Sequence, residues 1–395
     1  MDKPLYPCEP IGSLDVLAKT LGMHPAHIQS IASKVDESYT TFLLPPHPKT
    51  NKIREVRDAK FELKRIQKRI NSRIFSHIRF PSYLQGGLKA TEEQSRDYVE
   101  NAGIHSRCLT LINLDVRNFY PNIKTKSVEQ VFKHFFNFND EVIEPLVKLT
   151  TFKGSVPQGG CTSSYLANLV FFNNEYHLVS KLRGQGIKYS RLLDDITISS
   201  EKKLSDDKCT ELIKLVASML KKHDLRLNNG KTSISFRNDI NAKFEVTGLW
   251  IKHKTPRIRK NERRFIRQLV YNCELKARID KTTTEYHELW NKTSGLVAKL
   301  ERLNHCQSKD YRKRLANLLP EYSQSNAAQV LRAVSLALKV PKSEHQKLGR
   351  IKRINQLKHQ LGILSRTHKS DAKKARQALN KHYSSSISKQ KFWER

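Results

Sequence analysis

The chain has 395 residues, enough for two or three ordinary domains or one large enzyme built from subdomains. A 38% hydrophobic content supports a sizeable core, yet 72 Lys+Arg against 38 Asp+Glu leave a net charge of +34. Such a surplus opposes compaction unless a polyanion neutralises it, so nucleic acid is the natural partner and a membrane surface the runner-up.

The surplus is uneven: residues 251–395 carry 35 basic and 11 acidic side chains, net +24. The longest charge-free run, residues 154–174, contains Pro157, Gln158, three glycines and several Ser and Asn, too polar for a membrane span. The N-terminus, MDKPLYPCEP, lacks a basic-then-apolar secretion pattern. Six scattered cysteines (8, 108, 161, 209, 273 and 306) form no C-x-x-C pair. A reduced cytoplasmic protein without a membrane anchor is expected.

In chain order, Leu14, Leu17, Leu21, Ile28 and Ile31 predict two short helices over 11–35, broken at Pro25. SYTTFLLPPHPKTNKIREV predicts a hairpin at about 39–57. Residues 59–78 place Leu63, Ile66, Ile70 and Ile74 on one face of a basic amphipathic helix. TLINLDVRNFYPNI starts at Thr110 as a buried strand and breaks at Pro121. Residues 160–182 predict one apolar helix, and IKYSRLLDDITISS a hairpin with both turn residues acidic. Residues 205–223 form an amphipathic helix; LNNGKTSISF is a turn then a strand, and EVTGLWI is another strand. Beyond Pro256 the pattern is helical and basic, with HYSSSISKQKFWER expected to be flexible. The whole is an α+β core followed by a helical tail.

Asp115, Asp194 and Asp195 are the sharpest constellation. Asp115 closes an apolar strand, while Leu192, Leu193, Ile196 and Ile198 flank the other two. An isolated Asp-Asp usually just forms a turn. Carboxylates among apolar neighbours are costly unless a cation pairs with them. Three such groups suit Mg²⁺, a hard ion that keeps waters and accepts substrate phosphates. Two ions could clamp the attacking and leaving oxygens of an in-line displacement. With the basic surplus, this points to phosphoryl transfer on nucleic acid.

The order LDVRNFYPNI, VPQGGCTSSYLANLVF, YSRLLDDITIS, LNNGKTSI, EVTGLWI resembles the palm motif series of reverse transcriptases. YTTFLLPPHPKTNKIREV with LKRIQKRI resembles the fingers of bacterial members. NAGIH (residues 101–105) and VTG (residues 246–248) resemble the N-A-x-x-H and V-T-G elements of the retron branch. The resemblance implies a right-hand polymerase: an N-terminal helical segment at 1–38, fingers at 39–109, and a palm at 110–255 with part of the fingers (about 122–156) inserted. A thumb at 256–320 and a basic helical extension at 321–395 would follow.

It also implies roles. Asp115, Asp194 and Asp195 would hold two Mg²⁺ ions, and Lys231 would sit near the pyrophosphate leaving group. Tyr120 would act as a steric gate against the ribose 2′-OH, with Phe119 the competing candidate. Gln158 and Gly159 would touch template and incoming nucleotide, and Lys52 and Arg54 the triphosphate. Asn101 and His105 would orient or contact RNA, being four apart and so on one helical face. Arg257, Arg259, Lys260, Arg263 and Arg264 would grip RNA. One departure stands out: retron enzymes mostly carry Tyr-Ala-Asp-Asp, and this chain has Leu192-Leu193-Asp194-Asp195. The contact of the missing tyrosine with the primer end is thereby in question.

The function implied is an RNA-directed DNA polymerase. It would copy part of a structured non-coding RNA into single-stranded DNA, primed from an RNA 2′-OH to leave a branched RNA–DNA product. The partners would be that RNA, dNTPs and a separate effector protein in anti-phage defence. Two alternatives stay open: another defence-associated or group II intron-like reverse transcriptase, and a catalytically silent RNA-binding scaffold.

Overall fold

The first helices are set by local signals. Ser13 caps α1 (Leu14–Leu21) by accepting from the Val16 amide, and Gly22 ends it in the left-handed conformation at φ 60°. Pro25 opens α2 (Pro25–Ser33), where its missing N–H costs nothing. The structure is a computed structural model that describes residues 2–46, 51 and 53–394. It divides into two units, Met1–Pro256 and Arg257–Arg395.

In the first unit, β1 (Tyr39–Leu43) and β2 (Glu55–Ala59) pair antiparallel as the expected hairpin. Helix α3 (Phe61–Arg73) buries Leu63, Ile66 and Ile70, as its periodicity requires. Then follow β3 (Leu84–Gln85), α4 (Tyr98–Ile104) and β4 (Thr110–Asp115). The short helices α5 (Phe119–Asn122) and α6 (Thr125–Gln130) lead to α7 (Asp140–Thr150), α8 (Ser163–Leu169) and α9 (Glu175–Gly184). Strands β5 (Ile187–Leu192) and β6 (Asp195–Ser200), helix α10 (Asp206–Lys221) and β7 (Ser233–Phe236) complete a five-stranded sheet of order β3-β5-β6-β4-β7. One apolar core joins this sheet to the helices, from Leu17 and Ile66 through Phe132 and Phe171 to Leu220.

Two sequence expectations need correction here. Residues 160–182 form α8 and α9 with a break between them. The cause is Arg191, whose guanidinium donates to the carbonyls of Ala167 and Asn168 and so caps α8 from the side. EVTGLWI is a tight hairpin of β8 (Glu245–Val246) and β9 (Leu249–Trp250), with Thr247 and Gly248 both at positive φ.

The second unit is helical: α11 (Lys260–Ile279), α12 (Thr284–Arg302), α13 (Ser308–Ala316), α14 (Gln324–Leu338), α15 (Leu348–Leu364), α16 (Lys369–His382) and α17 (Lys389–Glu394). Glu274 of α11 and Arg314 of α13 form a two-pronged ion pair at 2.7 and 2.9 Å. A separate core of Val330, Val334, Leu357, Leu361, Leu364 and Leu379 binds α14, α15 and α16. The last stretch, expected to be flexible, ends in α17 with Trp393 buried. Among the described residues, no helix is long and apolar enough to cross a membrane.

The most consequential polar contact in the first unit lies under the sheet. Arg191 of β5 and Glu175 of α9 are both fully enclosed and share two hydrogen bonds of 2.6 and 2.8 Å. Tyr189 also donates to Glu175, at 2.7 Å. Removing one member of such a pair strands the other charge in the core. Glu175→Gln or Arg191→Met should destabilise the chain by about 3–5 kcal/mol. Urea unfolding checks this, and a change below about 1 kcal/mol, the scale of a surface pair, would contradict it.

Candidate active site

The site is built by strand register. In the β4–β6 pair Asp115 lies directly opposite Asp195, and Asn113 opposite Thr197. In the β5–β6 pair Leu192 lies opposite Asp195, so the intervening turn is Leu193-Asp194. This corrects the expected turn: Asp194 occupies it, and Asp195 is the first residue of β6. The Asp194 carbonyl accepts from the Val116 amide at 2.9 Å, which ties the turn to the end of β4. Three carboxylates therefore meet at one end of the central strands because the pairing leaves them no alternative.

The turn is strained. Leu193 has φ 59°, a region favouring glycine and costing a branched side chain about 1–3 kcal/mol. Several contacts hold it there. Arg191 donates to the Leu193 carbonyl at 3.2 Å. Gly86 and Gly87, both at positive φ, leave room for the leucines: a Cβ on Gly86 would lie 2.8 Å from Leu192 Cγ, and one on Gly87 3.3 Å from Leu193 Cδ2. The two leucines that replace Tyr-Ala are thus seated on a paired-glycine shelf.

Electrostatics mark the same place. Asp195 opens to solvent on one side, but its carboxyl is pushed up to about 6. Loss of water is the largest cause, followed by repulsion from Asp194 and Asp115, with Lys231 opposing. Asp194 is also raised, by burial first and then by Asp115, while Lys231 and Arg54 pull it down. Lys231 Nζ donates to Asp115 Oδ1 at 2.5 Å, and Asn228 Nδ2 donates to Asp115 Oδ2 at 3.1 Å.

Among the described residues no three His, Cys, Asp or Glu side chains form a preformed metal cage. The donor chemistry nonetheless fits a hard divalent cation. The ligands are carboxylate oxygens, and a cation among them would offset the burial and the repulsion that raise Asp194 and Asp195. Lys231 supplies one compensating charge in its place, on Asp115.

The remaining expected residues divide clearly. Phe119 is core, stacked on Phe171, whereas Tyr120 is only partly buried and hydrogen-bonded to Ser164, its phenol raised by burial first and then by Asp194. Gly159 has φ 106°, and a Cβ there would strike Arg57 O at 2.8 Å. The Gln158 carbonyl accepts from the Arg57 amide at 2.9 Å. The close approach that needs glycine is therefore to the β2 backbone, which docks this loop on the fingers hairpin. Arg54 is exposed, and Lys52 lies outside the described residues. Asn101 and His105 are 0% exposed, so direct RNA contact is corrected to an internal role. Arg257, Arg259, Lys260 and Arg264 are exposed, and Arg263 is half-buried.

Sequence reasoning missed Arg191, Glu175, Asn228 and the Gly86-Gly87 shelf. The signal for Arg191 was present: a charge at an inward position of an apolar strand.

In the metal-free chain, Asp195 holds its proton more tightly when folded, at about 6 against an ordinary 3.8. That contribution to stability is full below the unfolded value and is lost as pH rises through about 6. Asp195→Asn should therefore be more stable than the parent chain at about pH 7 in a chelator, with the difference shrinking below about pH 4. Thermal unfolding at the two pH values checks this; a variant less stable at neutral pH would contradict the assigned repulsion.

A family model described as "Reverse transcriptase (RNA-dependent DNA polymerase)" matches residues 46–271. The chain is 41% identical over 382 residues to the Retron Se72 reverse transcriptase of Salmonella heidelberg, covering 96% of this chain and 98% of that one. It is 32% identical to the Retron Ec48 reverse transcriptase of Escherichia coli, covering 91% and 89%. A structure of apo telomerase from Candida tropicalis aligns over 90% of this chain and 67% of that one, at 9% identity and a TM-score of 0.43. The carboxylate triad in its strand register, the palm motifs and the retron relatives converge: the chain belongs to the retron-type reverse transcriptases, and it is an RNA-directed DNA polymerase.

Proposed function

We propose that the chain binds one structured non-coding RNA and copies part of it into single-stranded DNA. Synthesis would start from an RNA 2′-OH and leave a branched RNA–DNA product, and the protein would work in anti-phage defence with a separate effector protein in the cytoplasm. The observation that carries the catalytic part is the register that sets Asp115 opposite Asp195, with Asp194 in the adjoining turn.

Asp115, Asp194 and Asp195 would hold two Mg²⁺ ions. When bound, such ions neutralise charge on the phosphates and on the attacking and leaving oxygens. The chain's own residues do the positioning. Lys231, which donates to Asp115 at 2.5 Å, would sit near the departing pyrophosphate and offset its negative charge. Arg54, whose field reaches Asp194, presents a planar fork to the triphosphate, with Lys52 beside it in sequence. Tyr120, half-buried beside Ser164, would sit beneath the sugar and exclude a 2′-OH. Gln158 and Gly159, docked on β2, would support template and nucleotide.

The RNA would be held largely by basic residues. Arg257, Arg259, Lys260, Arg263 and Arg264 cluster around the start of α11. Residues 324–395 add 17 Lys+Arg against 3 Asp+Glu, net +14. Unneutralised charge at that density repels itself, which favours a polyanion partner over a merely solvated face.

Two variants separate chemistry from binding. Asp194→Asn should lower DNA synthesis on a primed RNA template by at least about 100-fold, the scale of removing one electrostatic stabiliser, with RNA affinity retained. Undiminished synthesis would refute the catalytic assignment, and sequencing the nucleic acid that copurifies with the parent chain identifies the RNA and any DNA joined to it. Deleting residues 324–395, a cut placed before α14, should weaken RNA binding. The slope of log affinity against log salt should flatten by about 0.7–0.9 for every phosphate that the shortened chain no longer neutralises. An unchanged salt slope would mean that these charges face only solvent.

A further inference from the structure

Asn101 and His105 were expected to orient or contact RNA, and the structure encloses both completely. His105, the residue that ends α4, reaches into the sheet and bridges the two strands of the hairpin that carries Asp194 and Asp195. Its Nδ1 lies 2.7 Å from Ser199 Oγ on β6, and its Nε2 lies 2.8 Å from Ser190 Oγ on β5. The register pairs Ser190 with Thr197 and Lys188 with Ser199, so the two serines are diagonal neighbours on one face. Ser190 is four residues before Asp194, and Ser199 four residues after Asp195. A slip of one residue in either strand would carry its serine to the opposite face and break the bridge.

The orientation of the Asn101 amide, with Oδ1 toward Ser190, sets the proton positions. Ser190 Oγ donates its single proton to Asn101 Oδ1 at 2.6 Å. It must therefore accept from His105, which puts the imidazole proton on Nε2. Nδ1 is then an acceptor, and the Ser199 hydroxyl donates to it. Burial pushes the imidazole down to about 3, so it stays neutral across the working range.

Helix α4 is itself firmly held. Asp97 caps it, and the Arg96 guanidinium donates to the carbonyls of Phe80, Pro81 and Leu84. The Tyr98 carbonyl accepts from Thr247 Oγ1 at 3.1 Å. The NAGIH and VTG segments, about 145 residues apart, thus meet on one helix.

We propose that His105 is a positioning residue, fixed as its Nε2–H tautomer, that sets the register of the hairpin bearing Asp194 and Asp195 and acts on catalysis without touching RNA. This rests on the reading of those carboxylates as catalytic; the tautomer does not, so the two can fail separately.

The experiment has two arms on the full chain. Long-range ¹⁵N–¹H correlation spectra of histidine-labelled protein should show His105 as the neutral Nε2–H form at about pH 6–8, the range where a free imidazole titrates. An Nδ1–H tautomer or an imidazolium would overturn the assignment. In the second arm, His105→Ala should lower kcat about 10–100-fold on a generic primed RNA template, the scale for residues that orient a ligand from behind. The KM for dNTP and the affinity for the copurifying RNA should stay unchanged. His105→Gln, whose amide can still donate to Ser190, should recover part of kcat. Ser199→Ala is the milder variant should His105→Ala fail to fold; its effect should be non-additive with that of His105→Gln. Weakened RNA affinity at unchanged kcat would make His105 a recognition residue after all. Lowered thermal stability at unchanged kcat would leave it a packing residue only. If Asp194→Asn stays active while the tautomer stands, the catalytic reading fails and the clasp survives.

Discussion

Like charges resist being placed face to face, and this chain places three of them at the ends of its central strands. The antiparallel register sets Asp115 against Asp195 and leaves Asp194 in the turn beside them. No local preference of the sequence would choose that arrangement. The rest of the first unit enforces it: a sheet buried against helices, a turn held in a strained conformation, and polar side chains gripping the turn from behind. Burial first, and then the mutual repulsion, raises the carboxyls of Asp194 and Asp195, and a divalent ion would offset both.

The enforcement is layered. Arg191 works from beneath, directing its guanidinium to Glu175, to the last carbonyls of α8 and to the turn itself. Gly86 and Gly87 work from the side by leaving space for Leu192 and Leu193. His105 joins the two strands further from the turn. A buried ion pair is weak evidence for stability in itself, since well-packed apolar groups often do as well. Its use here is geometric, because it fixes one turn against its own strain.

Much of this was legible in the sequence. The carboxylates and the palm order could be read because short motifs in the right order carry a family resemblance, and the β1–β2 hairpin because its turn residues lie between its strands. The α3 periodicity was readable for the same reason, since an amphipathic helix carries its own pattern. What escaped was decided by distant partners. The break after α8 comes from an arginine on a later strand, and the β8–β9 hairpin from a threonine at positive φ that reaches α4. The NAGIH segment resembled an element that orients or contacts RNA, and its helical spacing alone did not tell which way it faces. Only the serines of β5 and β6 reveal that Asn101 and His105 face inward. Gly159 was expected to admit a nucleotide, and its close neighbour is the backbone of β2.

The proposed function requires Asp115, Asp194 and Asp195 to hold the divalent ions of the polymerase. Manganese, a spectroscopic stand-in for magnesium, tests it by electron paramagnetic resonance on the chain bound to a primed RNA template and an incoming dNTP analogue that cannot react. The account predicts bound Mn²⁺ in the parent chain and its absence from Asp115→Ala. Equal Mn²⁺ binding by the two proteins would contradict it.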